Sequence, residues 1–280
     1  MSATVDEQLE AASWDLEPLV EQRGPDAVEE MLTEARERAE AFSERYRERV
    51  AELDVAELVE AMRELADIHD LGGRAGSYAM LSYSLDTSDP ARGALLQKAR
   101  ELGAAIETQL LFFDLEWNLV PQESVDELVE APELAFAAHH LRTLRRYRPY
   151  QLTEPEERVL TETNVTGASA FQRLFTEQTS VLEVPLPDRD EPASLEEGLS
   201  RLQDPSRERR AEAAAAVTES LRPGLRTRAF VFNNLLQDKA TQDRLRGYPH
   251  WLASRNLANE ASLSSPRRRA LNAYQRRARS

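Results

Sequence analysis

Apolar side chains recur along this chain at the period of an α-helix, and that recurrence leaves little room for another kind of fold. From 25 to 51, PDAVEEMLTEARERAEAFSERYRERVA puts Val28, Met31, Leu32, Ala35, Ala39, Phe42, Tyr46 and Val50 on one stripe. Steps of three and four residues bring side chains to one side of a helix. The other face carries Glu and Arg at the same steps, where opposite charges support one another. Pro25 after Gly24 suits a first helical turn. From 55 onward, Val55, Leu58, Met62, Leu65 and Ile68 continue the period, and Tyr78, Leu81 and Leu85 resume it. Gly72, Gly73 and Gly76 interrupt it and read as a kink or a close helix contact. A phosphate cradle would need a strand before them, and none is visible.

Helix signals continue. Ser88-Asp89-Pro90 offers a cap and a first-turn proline. The helix behind it is predicted to run to about Asn118, through Leu95, Leu96, Ala99, Leu102, Ile106, Leu110, Phe113 and Trp117. Pro121 ends it, and QESVDELVE makes a short helix. Another is predicted from Glu133 to Tyr147. Thr153 with Glu156 reads as a capping box, with Pro155 in the first turn of a helix reaching Gly167. ASAFQRLFTEQTS follows. Only VLEVPLP, at 181–187, resembles a strand, and its prolines suit an edge. PDRDEP, at 187–192, reads as a loop and the best boundary. SLEEGLSRLQ and the segment after Asp204-Pro205, a second cap-plus-proline pair, return to helix. The expected fold is all-α, mainly long antiparallel helices, with at most one short β segment near 181–187.

Charge narrows the partners. The net charge is −15 over 280 residues, so a phosphate backbone is repelled and nucleic-acid binding is not expected. No apolar run approaches the roughly 18 residues a membrane span needs. The first residues lack a basic and apolar leader pattern. There is no cysteine, hence no disulfide or thiolate metal site. These features make the cytoplasm the default expectation. Basic residues are unevenly spread. Six arginines, at 267, 268, 269, 276, 277 and 279, crowd the last stretch, which holds no acid. Taking those six from the 35 basic residues leaves 29 against 50 acidic ones.

Catalytic constellations are scarce. His69, His139, His140 and His250 are the only histidines. Two imidazoles share one helix face at i,i+4, as in H-E-x-x-H with its Glu as base. Here position 143 is Thr and 144 is Leu, so neither His139 nor His140 has that partner, and adjacent residues point about 100° apart. His69 sits in ADIHDLGG near the polar end of its helix, and His250 has no ligand type within a turn. All four read as structural or surface residues. No G-x-S-x-G or P-loop appears. Acid pairs such as Glu29-Glu30 and Glu156-Glu157 read as solvated faces. Phe112, Phe113 and Trp117 read as core. No catalytic, cofactor-binding or metal residue is assigned.

The order of segments nonetheless resembles a known family. SWDLEPL and AFSERY are followed by YAMLSYSLDTSDP, FFDLEWNLVP, LRTLRRYRPYQLTEPEERVLTE, GASAFQRLFTEQTSVLEVPL, LQDPSRERRAEAAAAVTESL and LLQDKATQDRLRGYPHWLASRNLANEAS. Over residues 13–262 this set is similar to the N-terminal part of oligoendopeptidase F-type enzymes, zinc metallopeptidases of the thimet oligopeptidase (M3) family. The resemblance implies a helical fold around a substrate channel and cytoplasmic hydrolysis of short peptides by zinc-activated water. It also implies that zinc ligands and base lie in an H-E-x-x-H helix and a later Glu, and no position of this sequence matches that motif.

The expectations are therefore these. Residues 1–190 form the N-terminal helical region, 193–262 an incomplete start of the catalytic domain, and 263–280 an atypical basic tail. The tail reads as an out-of-frame ending in GC-rich coding DNA, in preference to a native basic arm for an acidic partner or membrane surface. Zinc belongs to the full-length family and not to this chain, which is expected to be inactive alone. The alternative is a non-catalytic helical binding or assembly module that partners a separate catalytic chain. Phe230, Phe232, Leu235 and Leu236 are expected to be partly exposed and to promote self-association.

Overall fold

The computed structural model describes residues 15–261. Ser13 and Trp14 of SWDLEPL, and the basic tail 263–280, lie outside them. Three long helices make the core: α1 (Asp26–Tyr46), α2 (Val55–Leu85) and α3 (Pro90–Leu119). Each packs on the other two. At 1.5 Å per residue, the 31 residues of α2 span about 46 Å. Every member of the α1 stripe from Val28 to Val50 is buried, as its period implies. Phe42 sits at the centre, with ring centroids 5.9 Å from Phe112 and 5.8 Å from Phe113. Removing side chains of this size from water stabilises the fold by about 1.5–3 kcal/mol each.

Helix ends follow local chemistry where a cap is encoded. Asp54 and Glu57 form a reciprocal capping box at the start of α2. Asp89 accepts the Ala91 N–H at 2.8 Å, with Pro90 as the first residue of α3. Two ends differ from the periodicity. The first helix stops at Tyr46 and does not reach 51. Arg47 turns extended, Glu48 adopts a φ of 65°, and Val50 enters the core from a 3-10 turn. A carboxylate from the next layer holds this turn: Glu116 accepts the N–H groups of Glu48 at 2.8 Å and Val50 at 3.3 Å. Conversely, α2 runs unbroken through Gly72, Gly73 and Gly76. A Cβ at Gly72 would lie 3.8 Å from Ile106 and 3.9 Å from Ala35, so that glycine faces the packed helices, whereas one at Gly73 or Gly76 would meet nothing within 4 Å.

After α3 come α4 (Gln122–Glu130) and α5 (Ala138–Arg145). The helix predicted from Glu133 begins only at Ala138, because residues 131–137 wind in tighter i to i+3 bonds around buried Leu134. The buried Trp117 indole N–H donates to the Leu141 carbonyl at 3.0 Å, pinning α5 to α3. Helix α6 (Glu154–Asn164) opens with the Thr153–Glu156 capping box and lies along α3. Gly167 starts a new helix, α7 (Ala168–Ser180).

The only sheet among the described residues is a two-stranded antiparallel hairpin. Strand β1 (Glu183–Val184) pairs with β2 (Ala193–Ser194), and the loop 187–192 joins them. Ser194 then caps α8 (Leu195–Ser200). Next comes α9 (Arg207–Leu221). Its cap is Ser206 and not Asp204, which instead accepts the Ser206 N–H at 2.8 Å. The hairpin, α8 and α9 share a second small core of Val184, Leu186, Ala193, Leu195, Ala213 and Val217. Helix α10 (Leu225–Leu245) packs on α7, and α11 (Ala253–Ala258) follows.

Candidate functional site

A groove opens where α3 carries small residues. Arg100, Gly103, Ala104 and Glu107 follow one another at helical steps on a single face of α3. Gly103 and Ala104 leave space that a larger pair would fill, and a Cβ at Gly103 would still meet nothing within 4 Å. Leu160, Thr161, Asn164 and Val165 of the α6 end form one wall, and Gln242 and Arg246 of α10 another. The open groove has a volume of about 390 Å³. That lies within the size range of small-ligand sites.

The opposite wall is fixed by a bidentate ion pair. Arg246 donates to both carboxylate oxygens of Glu157, at 2.5 and 2.7 Å. Glu157 also accepts the Leu152 N–H at 3.1 Å. This glutamate is buried, which corrects its reading as part of a solvated acid face. The pair clamps α10 to α6, and its hydrogen bonds hold the Arg246 pKa above the usual guanidinium value.

Arg100 stands in contrast. It is half-buried and makes no hydrogen bond or ion pair with the described residues. Burial, and then the like charge of Arg173, hold its pKa below the usual value. Arg173 itself is engaged by Glu177 at 2.7 Å and Gln97 at 3.3 Å. Tyr83 and Glu177 partly offset the lowering at Arg100 from a distance, so the groove has at one end a cation with no bonded acid. Seven residues along α3, Glu107 marks the other end, with His69 Nδ1 4.0 Å from its carboxylate.

Asp114 continues the same heptad face. Burial, aided by the Glu107 charge, pushes its pKa up to about 6. It lies between Phe113 and Leu115 in FFDLEWN, and an acid inside an aromatic run was the signal available in the sequence. For Arg100 and Arg246 there was no such signal, because their surroundings come from helices far along the chain.

The histidines do not assemble a metal site. His139 is exposed, with Nε2 3.0 Å from a Glu260 oxygen. His140 is exposed at the surface; partial desolvation, then His69 and His139, hold its pKa below the usual imidazole value. His250 lies in the turn before α11, where its carbonyl accepts the Ala253 N–H at 2.9 Å. No group of three or more His, Asp or Glu among the described residues could hold a metal ion. Phe112, Phe113 and Trp117 are core residues, as their spacing implied.

The stretch that links these walls also carries the likeness to known proteins. Residues 116–183 match the family model of oligopeptidase F. The match runs from the end of α3 through α6 and α7 to β1. LRTLRRYRPYQLTEPEERVLTE and most of GASAFQRLFTEQTSVLEVPL fall within the matched residues. The fold extends the likeness further. Oligoendopeptidase-F from Enterococcus faecium superposes with a TM-score of 0.69 at 16% identity, over 84% of this chain and 46% of that one. A second solved structure, from Chlamydophila abortus, gives a TM-score of 0.49 at 17% identity, over 88% of this chain and 42% of that one. The chain therefore spans less than half the length of either solved relative. No curated protein matches it.

Proposed function

We propose that this chain is the N-terminal helical part of an oligopeptidase F-like zinc endopeptidase, cytoplasmic and acting on short peptides. The observation that carries the reading is the family match over residues 116–183, set on a fold shared with oligoendopeptidase-F. Among the described residues no set fits zinc: His139 and His140 are adjacent on α5 and so point apart, and no group of three His, Asp or Glu could hold a metal ion. The chain's contribution is then to shape and hold the peptide compartment, while metal and base come from another polypeptide region. Consistent with an unfilled side, Phe230, Phe232 and Leu236 of α10 are exposed, with 60% of Phe230 and 62% of Phe232 open to solvent, and Leu235 is half-buried. The same faces favour the second reading, a helical assembly module that partners a separate catalytic chain.

A quenched fluorescent oligopeptide tests the proposal. The purified chain with added zinc is expected to leave it intact. Co-expression with an H-E-x-x-H-bearing M3 catalytic region is expected to give a stable complex and chelator-sensitive cleavage. Zinc-dependent cleavage by the chain alone would overturn the division of labour. Failure to associate with any such region would sink the peptidase reading.

A further inference from the structure

We infer that the groove between α3, α6 and α10 binds a short peptide by its two free termini, with Arg100 taking the α-carboxylate and Glu107 the α-ammonium group. The inference rests on the peptidase reading for its ligand class and adds a product-sized site to it. Three observations converge. Arg100 is half-buried in the groove and feels Glu177 only at a distance, with no acid or acceptor bonded to it among the described residues, so its guanidinium donors remain available to an external anion. A guanidinium matches a carboxylate in two parallel hydrogen bonds. Glu107 lies on the same helix face seven residues on, which at 1.5 Å per residue is about 10 Å. An extended chain covers about 3.3–3.6 Å per residue, so about three residues bridge the two charges.

The floor and walls suit a peptide backbone. Gly103 and Ala104 between the two charges leave the floor open. Thr161, Asn164, Ser169 and Gln242 offer donors and acceptors along the sides, with Leu160 and Val165 as apolar patches. Arg246 lines the same space but is neutralised by Glu157, which leaves Arg100 as the unpaired cation of this lining. The neighbouring hollow on the other flank of α3 differs in its cation: its one arginine, Arg158, is already bonded to Glu162 at 2.9 Å.

Calorimetric titration of the full chain with trialanine at low salt tests the site, using N-acetyl-trialanine and trialanine amide as controls. Saturable binding in the millimolar range or tighter is expected, weakened about ten-fold or more by blocking either terminus. In Arg100→Ala, the amide is expected to bind as well as the free acid. In Glu107→Gln, the acetylated peptide is expected to bind as well as the free amine. Gly103→Leu is expected to fill the floor and abolish binding while leaving the circular dichroism melt intact. Binding that ignores these substitutions, or equal affinity for blocked and free peptides, would overturn the inference and leave the peptidase reading standing. No saturable binding would also overturn it. Groove-dependent binding without cleavage in the reconstituted complex would overturn the peptidase reading alone.

Discussion

At the scale of single residues, Asp114 sets a pH dependence. Its pKa rises from an ordinary 3.8 to about 6 in the folded chain, chiefly through burial. Folding therefore favours the protonated acid. The stability tied to this proton is fully present below about pH 4 and is lost as pH climbs through about 6. A shift of this size corresponds to roughly 1–3 kcal/mol. Asp114→Asn keeps the shape without the charge. It is expected to match the wild type in urea unfolding near pH 4 and to exceed it by that margin at pH 7.5. An equal gap at both pH values would mean that packing, not ionisation, separates the two proteins. Asp114 was open to inspection in the sequence, since its neighbours in the chain and one turn away are mostly apolar. Glu157 was not. Its partner Arg246 lies 89 residues along, and nothing local distinguishes it from Glu156, which merely caps α6.

At the scale of elements, the three glycines of α2 sit inside a regular helix where two of them have no spatial need to be glycine. Glycine in a helix interior destabilises it by roughly 0.5–1 kcal/mol relative to alanine. Gly73→Ala and Gly76→Ala are therefore each expected to raise the thermal midpoint by about 1–3 °C. A fall would show that this face meets something that the added methyl group obstructs. Periodicity revealed which helices exist and which faces they bury, because both follow from side-chain spacing. It did not reveal where α1 stops. That end depends on Glu116, a carboxylate from α3 that bonds the backbone of residues 48 and 50. The β1 segment was visible as a short β-like run. The groove was not visible: Gly103 and Ala104 become its floor only once α6 and α10 are placed beside them.

At the scale of the whole molecule, the apolar surface is unevenly resolved. The inner faces of α1–α3 are buried, while Leu85 and Leu119 at the ends of α2 and α3 are exposed, as are Phe230, Phe232 and Leu236 of α10 and Trp251, the last with 71% exposure. Surfaces of this kind mark interaction sites or association hazards. Light scattering after gel filtration is expected to show a concentration-dependent mass above the 31.7 kDa of one chain. Phe230→Ser together with Phe232→Ser is expected to restore the monomer. A wild-type monomer at all concentrations would show that these side chains are tolerated in water.

The second small core has a consequence for how the molecule comes apart. Its members all lie between residues 184 and 217, and few of them are large. Such a unit forms its contacts locally and can open without disturbing the larger bundle. The hairpin, α8 and α9 then behave as a separate cooperative unit. Their amide protons exchange with solvent through brief local openings, while those of α1–α3 wait for the whole chain to unfold.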